Sequence, residues 1–158
     1  MKEQGIRLLL WTGVLSMMAV IFIFSAQPGA ESDMLTQAAA MPIAELIAAA
    51  KNGVDEAFVL HIYHILGTLL RKAAHVAEYA ILGLMLRLLC RRYGIVRIWL
   101  PLLCGIAYGA SDEIHQIFVP GRLGAFSDVL IDSLGVLIGV SLVSVAVRIR
   151  RKHCAHHQ

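Results

Sequence analysis

Four stretches of this chain are apolar nearly all the way round a helix: about Gly5 to Phe24, Ala73 to Leu89, Ile95 to Ala110 and Val129 to Val147. Runs of about 17–20 such residues are what a helix needs to cross the hydrocarbon of a bilayer. A soluble bundle would show one apolar stripe per helix instead. The chain is 58% apolar and only 16% charged, where a soluble domain is about a quarter charged. Its mean hydropathy is +0.72. At 158 residues it is one domain. The pattern predicts an all-α integral membrane protein with about four transmembrane helices, a core from about residue 20 to 147 and a basic tail over 148–158.

The net charge of +3 hides an asymmetry. Basic residues cluster at Lys2 and Arg7, at Arg87, Arg91, Arg92 and Arg97, and at Arg148, Arg150, Arg151 and Lys152. With four spans all three clusters fall on one side, and Glu3 is the one acid among them. The positive-inside rule then puts both termini in the cytoplasm. The bias is thus a topology signal, and the partner it implies is the bilayer; nothing in it suggests nucleic acid. Lys2, Arg7 and the apolar run to Phe24 are read as a retained first span. Cleavage after Ala26 would place the large Phe24 where a signal peptidase wants a small residue. Cys90, Cys104 and Cys154 form neither a disulfide framework nor a metal spacing. The tail His153-Cys154-Ala155-His156-His157 reads as a frayed, solvated end.

Between the first two spans, Pro28-Gly29 stops a helix. Glu31 to Lys51 is Ala-rich, with Met34, Leu35, Ile43, Leu46 and Ile47 at roughly helical spacing, which predicts a short amphipathic helix on the outer surface or packed over the spans, ending at Asn52-Gly53. Asp55 to Leu70 is a further helical stretch able to run straight into span two, with Gly67 as a kink position. Pro101 is a second kink position, and Pro120-Gly121 turns the last loop. His61 and His64, three apart on the pre-span stretch, read as interfacial polar residues. Gly105-x-x-x-Gly109 and Gly135-x-x-x-Gly139 predict close helix packing within one chain in preference to dimerisation.

Titratable residues gather at the ends of these runs opposite the basic clusters, where such groups default to a functional hypothesis. Arg71, His75 and Glu78 fall on one helical face, with Lys72 and Tyr79 beside it. Asp112, Glu113, His115, Gln116 and Arg122 follow the third run, and Asp128 and Asp132 open the fourth. Asp112 with His115, and Asp128 with Asp132, are spaced to share a face. Three chemistries suit these types. A His–carboxylate pair can move protons, while Arg71 and Arg122 hold an anion such as phosphate. A metal could be bound by a mixed set from His75, Glu78, Asp112 or Glu113, and His115. Buried ion pairs such as Arg71–Glu78 or Arg122–Asp128 could instead fix helix register. No spacing here is diagnostic of a particular cofactor.

Four motifs in this order carry a family resemblance. They are Phe24-Ser25-Ala26-Gln27; Arg71-Lys72-x-x-His75-x-x-Glu78-Tyr79-x-x-Leu82-Gly83; Asp112-Glu113-x-His115-Gln116-x-Phe118-x-Pro120-Gly121-Arg122; and Asp128-x-x-x-Asp132-x-x-Gly135. With them the chain resembles the VanZ-like family over nearly its whole length. Asn is common in that family where this chain has Asp132. The resemblance implies a bacterial cell-envelope membrane protein. The family's founding member is linked to low-level resistance to teicoplanin, a lipoglycopeptide that binds peptidoglycan precursors at the outer surface. The reading combines both lines. An outer-leaflet site is expected to bind or modify an anionic envelope lipid or lipid-linked precursor. His75, Glu78, Asp112, Glu113 and His115 are its acid/base candidates. Arg71, Lys72, Gln116, Arg122, Asp128, Asp132, Ser25 and Gln27 are its binding candidates. The alternative is a structural or binding protein without turnover, in which the same groups hold helices together.

Overall fold

The computed structural model describes residues 2–50 and 56–156, and the regular structure among them is all helical. The helices are α1 (Lys2–Ser25), α2 (Gly29–Ala50), α3 (Glu56–Arg92), α4 (Trp99–Gln116) and α5 (Phe126–His156). The expected stop at Asn52-Gly53 and the start at Asp55 lie outside the described residues. α1, α3 and α5 are each long and apolar enough to cross a membrane. That is one fewer than the four spans expected. α4 has 18 residues, but its last turns carry Ser111, Asp112, Glu113, His115 and Gln116, so its composition alone does not qualify it. It nevertheless completes the bundle.

α1 and α4 run one way, α3 and α5 the other. The start of α1 meets the end of α3, where Trp11 donates to the Tyr93 hydroxyl at 3.1 Å and Glu3 pairs with Arg92 at 3.2 Å. The end of α1 meets the end of α4 through Ser25 and Asp112. α3 and α5 are joined by His75 and Asp132 near one end and by Arg87 and Ser144 near the other. The basic clusters consequently gather at one end: Arg7 lies over the Tyr93 ring, and Arg91 and Arg151 line one depression there. The titratable motif residues gather at the opposite end.

The core is Val14, Ile21, Tyr79, Leu82, Leu89, Val136 and Val140. Around it, side chains such as Leu8, Leu9, Leu15, Phe22 and Ile23 turn outward. This inside-out distribution suits a lipid solvent, where helices associate through close packing rather than by burying grease. Small residues supply that packing, as their spacing predicted. A Cβ on Gly139 would collide with the Ala80 carbonyl, one on Gly135 would lie 2.6 Å from the Val76 carbonyl oxygen, and one on Gly105 would meet the Val136 side chain at 2.6 Å.

Several boundaries differ from the sequence reading. The third apolar run was expected from Ile95, but α4 begins at Trp99. The backbone before it is tied down by Arg87, which is only 3% exposed. Its guanidinium donates to the carbonyls of Ile95, Val96 and Arg97 and to the Ser144 hydroxyl. Pro101 therefore sits in the first turn of α4, where no intrahelical N–H bond is lost, and is no mid-span kink. The pre-span stretch and span two form one uninterrupted helix of 37 residues, about 55 Å long. Its first turns extend beyond α1 and α4, paired with α2 through Tyr63 and Gln37 (3.0 Å). α2 buries its small residues Ala40 and Ala44 and turns Met34, Leu35 and Leu46 outward. The tail expected to fray continues α5 as helix through His156.

Candidate functional site

α4 delivers its polar residues on one buried face. Asp112, Glu113 and Gln116 are 3%, 4% and 5% exposed. Gln116, one turn after Asp112, donates from Nε2 to Asp112 Oδ2 (3.1 Å), Glu113 Oε1 (3.2 Å) and Ser25 Oγ (3.2 Å). Ser25, the last residue of α1, donates to Asp112 Oδ2 at 2.6 Å. Glu113 accepts from the Ala125 amide at 3.0 Å, holding the start of α5 against α4. Ser25 is thus the hydroxyl that ties two helix ends to one carboxylate.

α3 and α5 contribute the other wall. His75 Nδ1 lies 3.5 Å from Asp132 Oδ1, with no formed hydrogen bond to either group there. Asp132 is 1% exposed and packs against Gly109, where the Tyr79 ring also rests. The absence of a side chain at Gly109 admits both. Lys72 pairs with Asp128 at 3.5 Å. Arg71 pairs with Asp33 of α2, a partner the sequence reading did not name and one that fastens α2 over the site. The expected Arg71–Glu78 and Arg122–Asp128 pairs are not the ones formed among the described residues.

Arg122 closes the polar end. Its Nε donates to the Gln27 carbonyl (2.9 Å) and its Nη2 to that of Phe24 (3.1 Å), while Nη1 faces Gln116 Oε1 at 3.5 Å. Burial, and then the like charge of Arg71, lower its pKa from the ordinary guanidinium value. The loop is set by Gly121 at φ 75°, a left-handed conformation that glycine adopts without a Cβ penalty. The Pro120 carbonyl accepts from the Gly29 amide at 3.0 Å, and Gly29 packs directly on Gly121. Two glycines therefore let the last loop reach the α1–α2 junction.

These walls enclose a cleft of about 300 Å³ whose lining includes Arg71, Lys72, His75, Gln116, Arg122, Asp128 and Asp132. A second depression of about 200 Å³ shares Arg71, His75 and Arg122 and adds Gln27, Ser32 and Glu78. Most of the candidate residues thus meet in one region. His115 does not line either opening. It stacks on Phe22 of α1 at a centroid distance of 4.5 Å, and its Nε2 is buried without a hydrogen-bond partner. His64 lies further along α3, beside Asp33 and Arg71.

The fold and site together define a small helical bundle with an apolar exterior, one basic end, and a carboxylate–histidine site under a rim of cations at the other. The VanZ/LLP1 family profile matches residues 10–147, so the chain belongs to that family. No curated protein and no solved structure gives a significant match.

Proposed function

We propose that the protein spans the bacterial cytoplasmic membrane with α1, α3, α4 and α5, its basic end and both termini in the cytoplasm. In this reading the cleft binds the phosphate of an anionic envelope lipid or lipid-linked peptidoglycan precursor. The observation that carries it is the joint placement of Arg71, Lys72 and Arg122 around one opening of about 300 Å³ at the end of an apolar bundle. Guanidinium groups bind phosphate oxygens in pairs, and the exposed apolar flanks leave room for lipid chains. A site for cell-wall precursors would also give the family's link with teicoplanin, a ligand of the same precursors, a molecular basis.

The test is lipid binding by the purified chain in nanodiscs, comparing phosphatidylglycerol with phosphatidylcholine. Preference for the anionic lipid is expected, with Arg71→Ala and Arg122→Ala each weakening it about tenfold, near 1.4 kcal/mol. Equal binding of both lipids, or no effect of either change in a chain that melts normally, would reject the proposal. A second reading is favoured by one observation: all three cations already have protein partners. If they serve only as helix clasps, the same substitutions lower the melting temperature and leave lipid preference alone.

A further inference from the structure

Beneath the cationic rim, Asp132 in the cleft wall and Asp112 behind it carry buried carboxylate oxygens that accept no hydrogen bond. Both carboxylate oxygens of Asp132 are buried and accept no hydrogen bond, as is Asp112 Oδ1, and the buried His75 Nδ1 likewise makes none. Asp132 and Asp112 are 1% and 3% exposed. One such orphan costs about 1–3 kcal/mol, and a cluster of them calls for an ion. One donor atom from each of His75, Asp112 and Asp132 lies within 4.8 Å of the others.

We propose that His75, Asp112 and Asp132 bind one divalent transition-metal cation of the Zn²⁺ or Mn²⁺ type. An imidazole with two carboxylates is a mixed N/O donor set, which suits such cations better than Mg²⁺ or Ca²⁺. Donors about 2.0–2.2 Å from a tetrahedral ion stand roughly 3.3–3.6 Å apart, so the three side chains need only close inward slightly. The surrounding hydrogen bonds fix one of them: Ser25 and Gln116 hold Oδ2 of Asp112, which leaves Oδ1 for the ion. Three protein ligands leave a coordination position open. His75 and Asp132 both line the cleft, so that position faces the space framed by Arg71, Lys72 and Arg122. A cation there offsets the two buried carboxylates, which would otherwise oppose an anion in the cleft.

The inference deepens the cleft-binding proposal but does not depend on it, because metal can be measured with no lipid ligand added. The full chain, carrying His153→Ala, His156→Ala and His157→Ala to remove tail ligands, is stripped with chelator in detergent and titrated with Zn²⁺ and with Co²⁺. About one equivalent of each is expected per chain, with visible Co²⁺ absorption bands. Asp132→Asn and Asp112→Asn should each weaken binding at least about tenfold, the lower end of what even outer-shell changes cost. His115→Ala and His61→Ala should not. No stoichiometric binding by this tail-substituted parent chain would overturn the proposal, and that measurement needs no substitution within the bundle. Equal binding by Asp132→Asn, or binding of Mg²⁺ alone, would overturn it as well. Loss of anionic-lipid preference with metal binding intact would instead reject the cleft proposal only.

Discussion

A single hydroxyl illustrates how much this site depends on burial. Ser25 is 1% exposed and gives Asp112 a 2.6 Å hydrogen bond; taking one partner from a buried polar group costs about 1–3 kcal/mol. Ser25→Ala should lower stability by about that amount, read as a lower unfolding temperature in detergent, whereas Ser25→Thr should recover much of it. An unchanged melting curve would mean that Asp112 is not held by this bond. The value of individual residues was unevenly legible. Asp112 and Gln116 stood out as polar residues at the end of an apolar run, but the face-sharing partner expected for Asp112 was His115, and the structure gives it Gln116 instead. His115, three residues on from Asp112, turns about 60° to the other side at 100° per residue and meets Phe22 instead. Its i, i+3 spacing allowed either outcome, and only the position of α1 decides between them. Asp33 had no sequence signal, because nothing local indicates that residue 33 will face residue 71.

At the scale of elements, the parallel pair α3 and α5 depends on glycine. The backbone of α5 at Gly139 approaches the Ala80 carbonyl so closely that a methyl group has no room. Gly139→Ala should cost about 1–3 kcal/mol through overpacking. Gly5→Ala, which meets nothing within 4 Å, should be neutral or gain up to about 1 kcal/mol from helix propensity. Thermal unfolding of the two variants side by side would check the contrast, and equal effects would show that the helices are not packed this tightly. The glycine spacing was visible in the sequence, as was the existence of most helices. The start of α4 was not. Ile95 to Ile98 look apolar enough to be helical, but Arg87 engages the carbonyls of 95, 96 and 97 in another conformation. That arginine reads in sequence as one more solvated member of a basic cluster.

For the molecule as a whole, the proposed orientation rests on the two unlike ends. Native Cys154 is exposed near the basic end, and Leu123, 90% exposed, lies in the loop at the polar end. With the basic end in the cytoplasm, an impermeant maleimide added to intact cells should label a Leu123→Cys variant. It should reach Cys154 only after permeabilisation. The reverse pattern would invert the proposed topology and place the cleft in the cytoplasm.

The sequence by itself determined the solvent and the class: apolar runs of membrane-spanning length, a one-sided distribution of Lys and Arg, and a set of polar motifs at the other ends of the same runs. These are local properties, set by side-chain transfer free energies and helical periodicity, so they can be counted along a chain. Only the tertiary structure decided which of the polar residues meet. Asp112, Asp132 and His75 come from α4, α5 and α3, and their juxtaposition depends on helix direction, axial offset and rotation. Those are fixed by steric fits such as Gly109 against Asp132 and Gly139 against Ala80, contacts between distant residues that no local pattern encodes.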